Sequence, residues 1–134
     1  MNGRADVGQT SRAQRAALVL IVDDEAPIAE ALAWIVEDAG YAAATATSGQ
    51  AALEMVQAGA RPDLLMTDLM MPKMDGRALI GALRAMLGAA MPPVVLMTAA
   101  NLRSLPGSMA EAVLAKPFAL AEVERLLTRF LAEE

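Results

Sequence analysis

Apolar positions recur along the chain in two alternating rhythms. Leu18-Val19-Leu20-Ile21-Val22 is an unbroken apolar run rich in branched side chains, the pattern of a strand buried on both faces. Behind it Pro27 opens a stretch in which Ile28, Leu32, Ile35, Val36 and Ala39 recur at helical spacing until Gly40. The alternation then repeats. Residues 41–47 read as a weaker, alanine-rich strand near an edge, and Ser48 as the N-cap of a helix through Gln57 that Gly59 stops. Residues 63–67 form a third strand ending at Asp68, and after a loop a helix runs from Asp75-Gly76 through Leu87. Residues 93–97 form a fourth strand ending at Thr98, and 112–115 a short fifth ending at Lys116-Pro117. A last amphipathic helix puts Val123, Leu126, Leu127, Phe130 and Leu131 on one side.

Two stretches stand outside the rhythm. Residues 1–16 are polar and aperiodic and read as a disordered N-terminal tail, which leaves 17–134 as one domain. Within 99–110, Pro106-Gly107 interrupts the fourth helix and predicts that it is shortened or distorted.

Strands alternating with helices imply a parallel sheet covered on both faces through right-handed crossovers. The natural small solution is an α/β, flavodoxin-like, doubly wound five-stranded sheet of order 2-1-3-4-5. Ligands in such sheets bind beyond the carboxyl ends of the strands. That places the candidate site at Asp23, Asp24, Asp68, Thr98 and Lys116.

Composition narrows the chemistry. Apolar residues make up 56% of the 134, enough for a core, and the formal charge is −5. Arg4, Arg12 and Arg15 all lie in the tail, so the domain itself is more acidic still and a poor binder of nucleic acid. The absence of cysteine and histidine excludes thiol chemistry, Cys- or His-ligated metals and imidazole acid–base catalysis. No apolar run is long enough for a membrane span and no signal-peptide pattern opens the chain, so a cytoplasmic location is expected. The methionines, Met70, Met71 and Met74 among them, read as core and loop packing.

Three carboxylates at neighbouring strand ends repel one another. At ~5 Å and an effective dielectric of ~20, each ionised pair costs about 3 kcal/mol. An all-oxygen cluster of this kind favours a hard, partly hydrated cation, and Mg²⁺ suits two or three carboxylates. Thr98 and Lys116 add a hydroxyl and an ammonium, which makes a pocket for a dianion carried on one carboxylate. The inference is phosphoryl transfer.

Val22-Asp23-Asp24-Glu25, the stretch from Thr67-Asp68 to Asp75-Gly76, Met97-Thr98-Ala99 and Lys116-Pro117-Phe118 together resemble the signature of two-component response-regulator receiver domains. The resemblance covers nearly the whole chain and points to the stand-alone, chemotaxis-type receivers, in keeping with a chain that stops after its last helix. It implies that Asp68 accepts a phosphoryl group from a phosphohistidine on a histidine kinase or histidine phosphotransfer protein. It implies Mg²⁺ held by Asp24, Asp68 and the backbone carbonyl of Met70, with Asp23 completing the shell, and phosphoryl oxygens bound by Thr98 and Lys116. It also implies a cis Lys116-Pro117 peptide. Output would pass by protein–protein contact from a monomer or weak dimer that is a switch and no enzyme in its own right.

Ile28 on the first helix and Phe118 after the fifth strand are the expected docking surface for the phosphodonor. Trp34 lies off the Ile28/Leu32/Ile35 stripe, either as a half-covered ring along the surface or as an anchor for a partner. The pattern also departs from the family. The gap between Thr98 and Lys116 is short, Val113 stands where many members carry an aromatic switch residue, and Met70 and Ala100 cannot orient an attacking water. Slow hydrolysis of the phosphorylated form follows. Two rivals stay open: a receiver-fold interaction module that signals without phosphorylation, and a phosphoaspartyl phosphohydrolase. The latter needs an acid–base carboxylate two residues after its nucleophile, where this chain has Met70.

Overall fold

The computed structural model describes residues 16–99 and 109–132. The strands are β1 (Leu18–Val22), β2 (Ala42–Ala46), β3 (Leu64–Asp68), β4 (Val94–Thr98) and β5 (Ala112–Ala115). The helices are α1 (Ala26–Asp38), α2 (Gly49–Gln57), α3 (Gly76–Leu87) and α4 (Leu120–Leu131), with a 3-10 turn at Gly88–Ala90. All strand pairs are parallel, in the order β2-β1-β3-β4-β5. The anticipated fold is the observed one. The expected tail, the shortened or distorted helix expected within 99–110 and Ala100 fall outside the described residues, Ala16 and Ala99 and the 109–110 pair apart.

Strand alternation divides the apolar residues between two cores. Val19 and Ile21 face the side covered by α1 and α4, where Leu32, Val36, Val123, Leu127 and Leu131 join them. Leu20 and Val22 face α2 and α3, where they meet Leu53, Val56, Leu79, Ile80 and Leu83. β3 and β4 are buried at every position, apolar until Thr67-Asp68 in the one and Thr98 in the other. β2 is more open, as its alanines at the sheet edge predict.

Local signals set the helix ends. Pro27 occupies the first turn of α1, the Oγ of Ser48 accepts the N–H of Ala51 at 3.0 Å, and Oδ1 of Asp75 accepts that of Ala78 at 2.9 Å. Ala39 is the C-cap of α1 and exposed, so it does not belong to the buried stripe that its spacing predicts. At the opposite end of the sheet from the candidate site, two carboxylates close strand starts. Asp63 accepts the N–H of Leu18 at 2.8 Å and Glu111 that of Val94 at 2.7 Å. Each also donates its own N–H back to the carbonyl of the same residue.

Of the two readings of Trp34, the half-covered ring is excluded: the residue is 78% exposed. The position lies two residues from both Leu32 and Val36, about 200° around the helix from each, so it points away from the sheet.

Candidate phosphoryl-transfer site

The register of the sheet assembles the site. Val22 pairs with Thr67 and Asp68 pairs with Met97, so Asp23 follows β1 beside Asp68 while Thr98 closes β4 one position beyond. Thr98 pairs with Ala115, which puts Lys116 at the same edge; its N–H donates to the carbonyl of Thr98 at 2.9 Å. Residues from four strands thus meet although the chain separates Asp23 from Lys116 by 93 positions.

The carboxylates of Asp23, Asp24 and Asp68 each present an oxygen within 4.8 Å of the others. Asp23 is fully buried and Asp68 nearly so, while Asp24 is exposed. Nζ of Lys116 lies 2.7 Å from Oδ2 of Asp23, to which it donates, and 3.3 Å from Oδ2 of Asp68. It is also 4.0 Å from Oε1 of the exposed Glu25. The second oxygen of Asp23, Oδ1, accepts the backbone N–H of Glu25 at 2.9 Å and so fixes the turn into α1. Asp24, Glu25, Asp68, Met70, Ala99 and Lys116 line an open cleft of about 300 Å³ above these groups.

Charge in the site is unbalanced. Burial raises the pKa of Asp68 above its ordinary value; the charge of Lys116 opposes this, Asp23 adds to it, and hydrogen bonds from Lys116 and the backbone of Met70 oppose it. Burial by itself disfavours the ammonium of Lys116. The hydrogen bond and charge of Asp23, with those of Asp68, outweigh it and raise the Lys116 pKa. One ammonium therefore serves two buried carboxylates, with a third, hydrated one beside them. The donor set fits a hard cation: all oxygen, negative in excess, partly open to water. A group that joins this cleft at Asp68 meets Lys116 on one side and Met70, 68% exposed, on another.

Thr98 is buried at the end of β4. Ile28 and Phe118 are both half-buried at the margin of the α1/α4 core, and Trp34 lies further along α1 in solvent. The Lys116-Pro117 peptide is cis, as the resemblance implies. Val113 is 39% exposed on β5.

Three positions shape the site through their backbone. Glu25 serves the site through its backbone, which no side-chain pattern signals. Lys73, in the loop after β3, adopts φ 69°, a left-handed conformation that side chains seldom take. At Gly76 the loop folds back on the strand end: its N–H donates to the carbonyl of Leu69 at 2.8 Å. A Cβ there would come within 2.5 Å of the carbonyl oxygen of Asp68. Only glycine admits that approach, and its place after Asp75 was the one available clue.

Comparison with known proteins agrees with the geometry. Residues 19–128 match the family described as response regulator receiver domain. Response regulator MprA of Mycobacterium ulcerans is 37% identical over 117 residues, which cover 85% of this chain and 48% of that protein. The chain thus spans about half the length of the curated relatives it matches. Among solved structures, chemotaxis protein CheY4 of Vibrio cholerae superposes with a TM-score of 0.76 at 31% identity, over 87% of this chain and 99% of that one. Response regulator TrrA of Thermotoga maritima, solved in complex with Mg²⁺ and BeF, gives 0.75 at 28% identity, over 86% and 99%.

Proposed function

Since the chain belongs to the response regulator receiver domain family of two-component systems, we propose that it is a phosphoacceptor switch whose accepting group is Asp68. The observation that carries this is the ammonium of Lys116 shared between buried Asp23 and Asp68 at the floor of an open cleft. That arrangement keeps one carboxylate oriented and reachable while a cation stands ready for the charge that a phosphoryl group brings.

Asp23, Asp24 and Asp68, with the backbone carbonyl of Met70, would hold Mg²⁺. Bound there, the ion would supply neutralisation of phosphoryl charge. The crystal form of TrrA with Mg²⁺ and a beryllofluoride group supports this assignment by kinship. The chain's own residues do the rest. A carboxylate oxygen of Asp68 bonds to phosphorus, the bond between phosphorus and the donor imidazole breaks, and that imidazole leaves as the donor's neutral side chain once its proton balance is restored from solvent. Lys116 binds a phosphoryl oxygen, trading its contact with Asp68 for one with the group Asp68 now carries. The Thr98 hydroxyl binds another. In this reading the protein acts as acceptor and switch.

The donor is a histidine kinase or histidine phosphotransfer protein of the cytoplasm, and it docks across Ile28, Phe118 and the exposed ring of Trp34. An exposed tryptophan at 78% has the profile of an interface anchor. Output passes by protein contact from a monomer or weak dimer. Among the described residues no helix is long and apolar enough to cross a membrane.

Beryllofluoride with Mg²⁺ tests the reading. The account expects a higher melting temperature in the wild type and no change in Asp68→Asn; equal responses in both proteins would refute it.

A further inference from the structure

Met70 stands apart from the other methionines among the described residues. Of the ten in the chain, Met66 and Met97 are completely buried, Met71 and Met109 nearly so, and Met86 is 39% exposed. Met70 is 68% exposed and lines the same cleft as Asp68 and Lys116. We propose that Met70 is a peroxide-sensitive modification site whose sulfoxide shortens the lifetime of the phosphoryl group on Asp68. The lifetime effect rests on the assignment of Asp68 as acceptor; the modification itself does not.

The chemistry is that of an open thioether. A sulfur lone pair attacks one oxygen of hydrogen peroxide, the O–O bond breaks, an S–O bond forms and water leaves. Sulfur is oxidised by two electrons and the peroxide reduced, and sulfoxide reductases reverse the change. Buried sulfurs in this protein lack the access that the attack needs.

The consequence follows from what each form can bind. A thioether is a weak acceptor and leaves water at the cleft mouth unoriented. The sulfoxide oxygen is a strong, polar acceptor fixed one residue beyond Leu69, in a loop that Gly76 holds against the strand end. It can orient a water beside the phosphoryl group, which the thioether cannot do. One added hydrogen bond in the transition state corresponds to a rate gain of roughly 2- to 10-fold.

The test uses the full chain, treated with hydrogen peroxide and mapped by peptide mass spectrometry. The expected result is oxidation of Met70 ahead of every other methionine among the described residues, with Met86 next among them. Oxidised wild type, phosphorylated with acetyl phosphate and Mg²⁺, then loses its phosphoryl group roughly 2- to 10-fold faster than untreated protein. Met70→Leu decays at a rate that peroxide does not change, Met86→Leu retains the response, and Met70→Gln, which carries a permanent acceptor, decays fast without peroxide. Circular dichroism confirms that each variant is folded. Oxidation of Met86 or a buried methionine before Met70, or an unaltered decay after oxidation of Met70, overturns the proposal. If no acyl phosphate forms at all, the Asp68 assignment falls and takes the lifetime effect with it, whereas the order of oxidation still judges the modification site.

Discussion

Lys116 reaches back across 93 residues to donate to Asp23 at 2.7 Å, and the same ammonium lies 3.3 Å from Asp68. This one contact joins the ends of β1, β3 and β5 and keeps two buried carboxylates from facing each other without compensation.

Removal of that ammonium exposes the cost. Lys116→Ala is expected to lose about 3 kcal/mol of stability in EDTA, because both carboxylates stay buried without the ammonium that compensates their charge. Added Mg²⁺ restores part of the loss. Urea unfolding at neutral pH measures both effects, and an unchanged midpoint in EDTA would show that the contact carries no weight.

Asp68→Asn has the opposite sign. Burial raises the pKa of Asp68, so ionising this group at neutral pH works against the metal-free fold. The asparagine variant therefore unfolds at a higher urea concentration than wild type in EDTA. A raised carboxylate pKa means that the folded state takes up the proton first as pH falls. The cost in wild type thus disappears on acidification through the folded pKa, and the gap between the two proteins narrows toward pH 4. A gap that widens in acid would contradict this.

Asp24 and Asp23 divide the labour of the cluster. Asp24 is exposed and Asp23 buried, paired and bound to the N–H of Glu25. Asp24→Asn is expected to weaken Mg²⁺ binding by about tenfold with little effect on the metal-free fold. Asp23→Asn is expected to lower both. Calorimetric titration with Mg²⁺, alongside thermal unfolding in EDTA, separates the two.

Two glycines of α3 respond differently to one methyl group. Gly76→Ala drives a Cβ to 2.5 Å from the Asp68 carbonyl oxygen and is expected to cost about 1–3 kcal/mol and to slow phosphorylation. Gly81→Ala meets nothing within 4 Å and is expected to stabilise by about 0.5–1 kcal/mol. Paired unfolding curves suffice to check the contrast.

The strands and the sheet order were legible because apolar runs such as Leu18–Val22 can be satisfied only with helices on both faces. The site was legible for the same reason: parallel strands of matched register bring their following residues to one edge, so Asp23, Asp68, Thr98 and Lys116 converge whatever the helices do. What stayed hidden depends on distances that no pattern carries. The Lys116 ammonium chooses Asp23 as its nearer partner, although the likeness to receivers directed attention to Asp68. Gly76 acts through a backbone approach, Glu25 through an N–H, and Trp34 through an outward turn that amphipathic spacing left undecided.

The most direct measurement of the central claim locates the phosphoryl group itself. Protein incubated with acetyl phosphate and Mg²⁺, reduced with borohydride and digested, is expected to show the reduced aspartyl side chain of an acyl phosphate at Asp68. Asp68→Asn is expected to show none anywhere. Label on Asp23 or Asp24, or equal label in Asp68→Asn, would contradict the account.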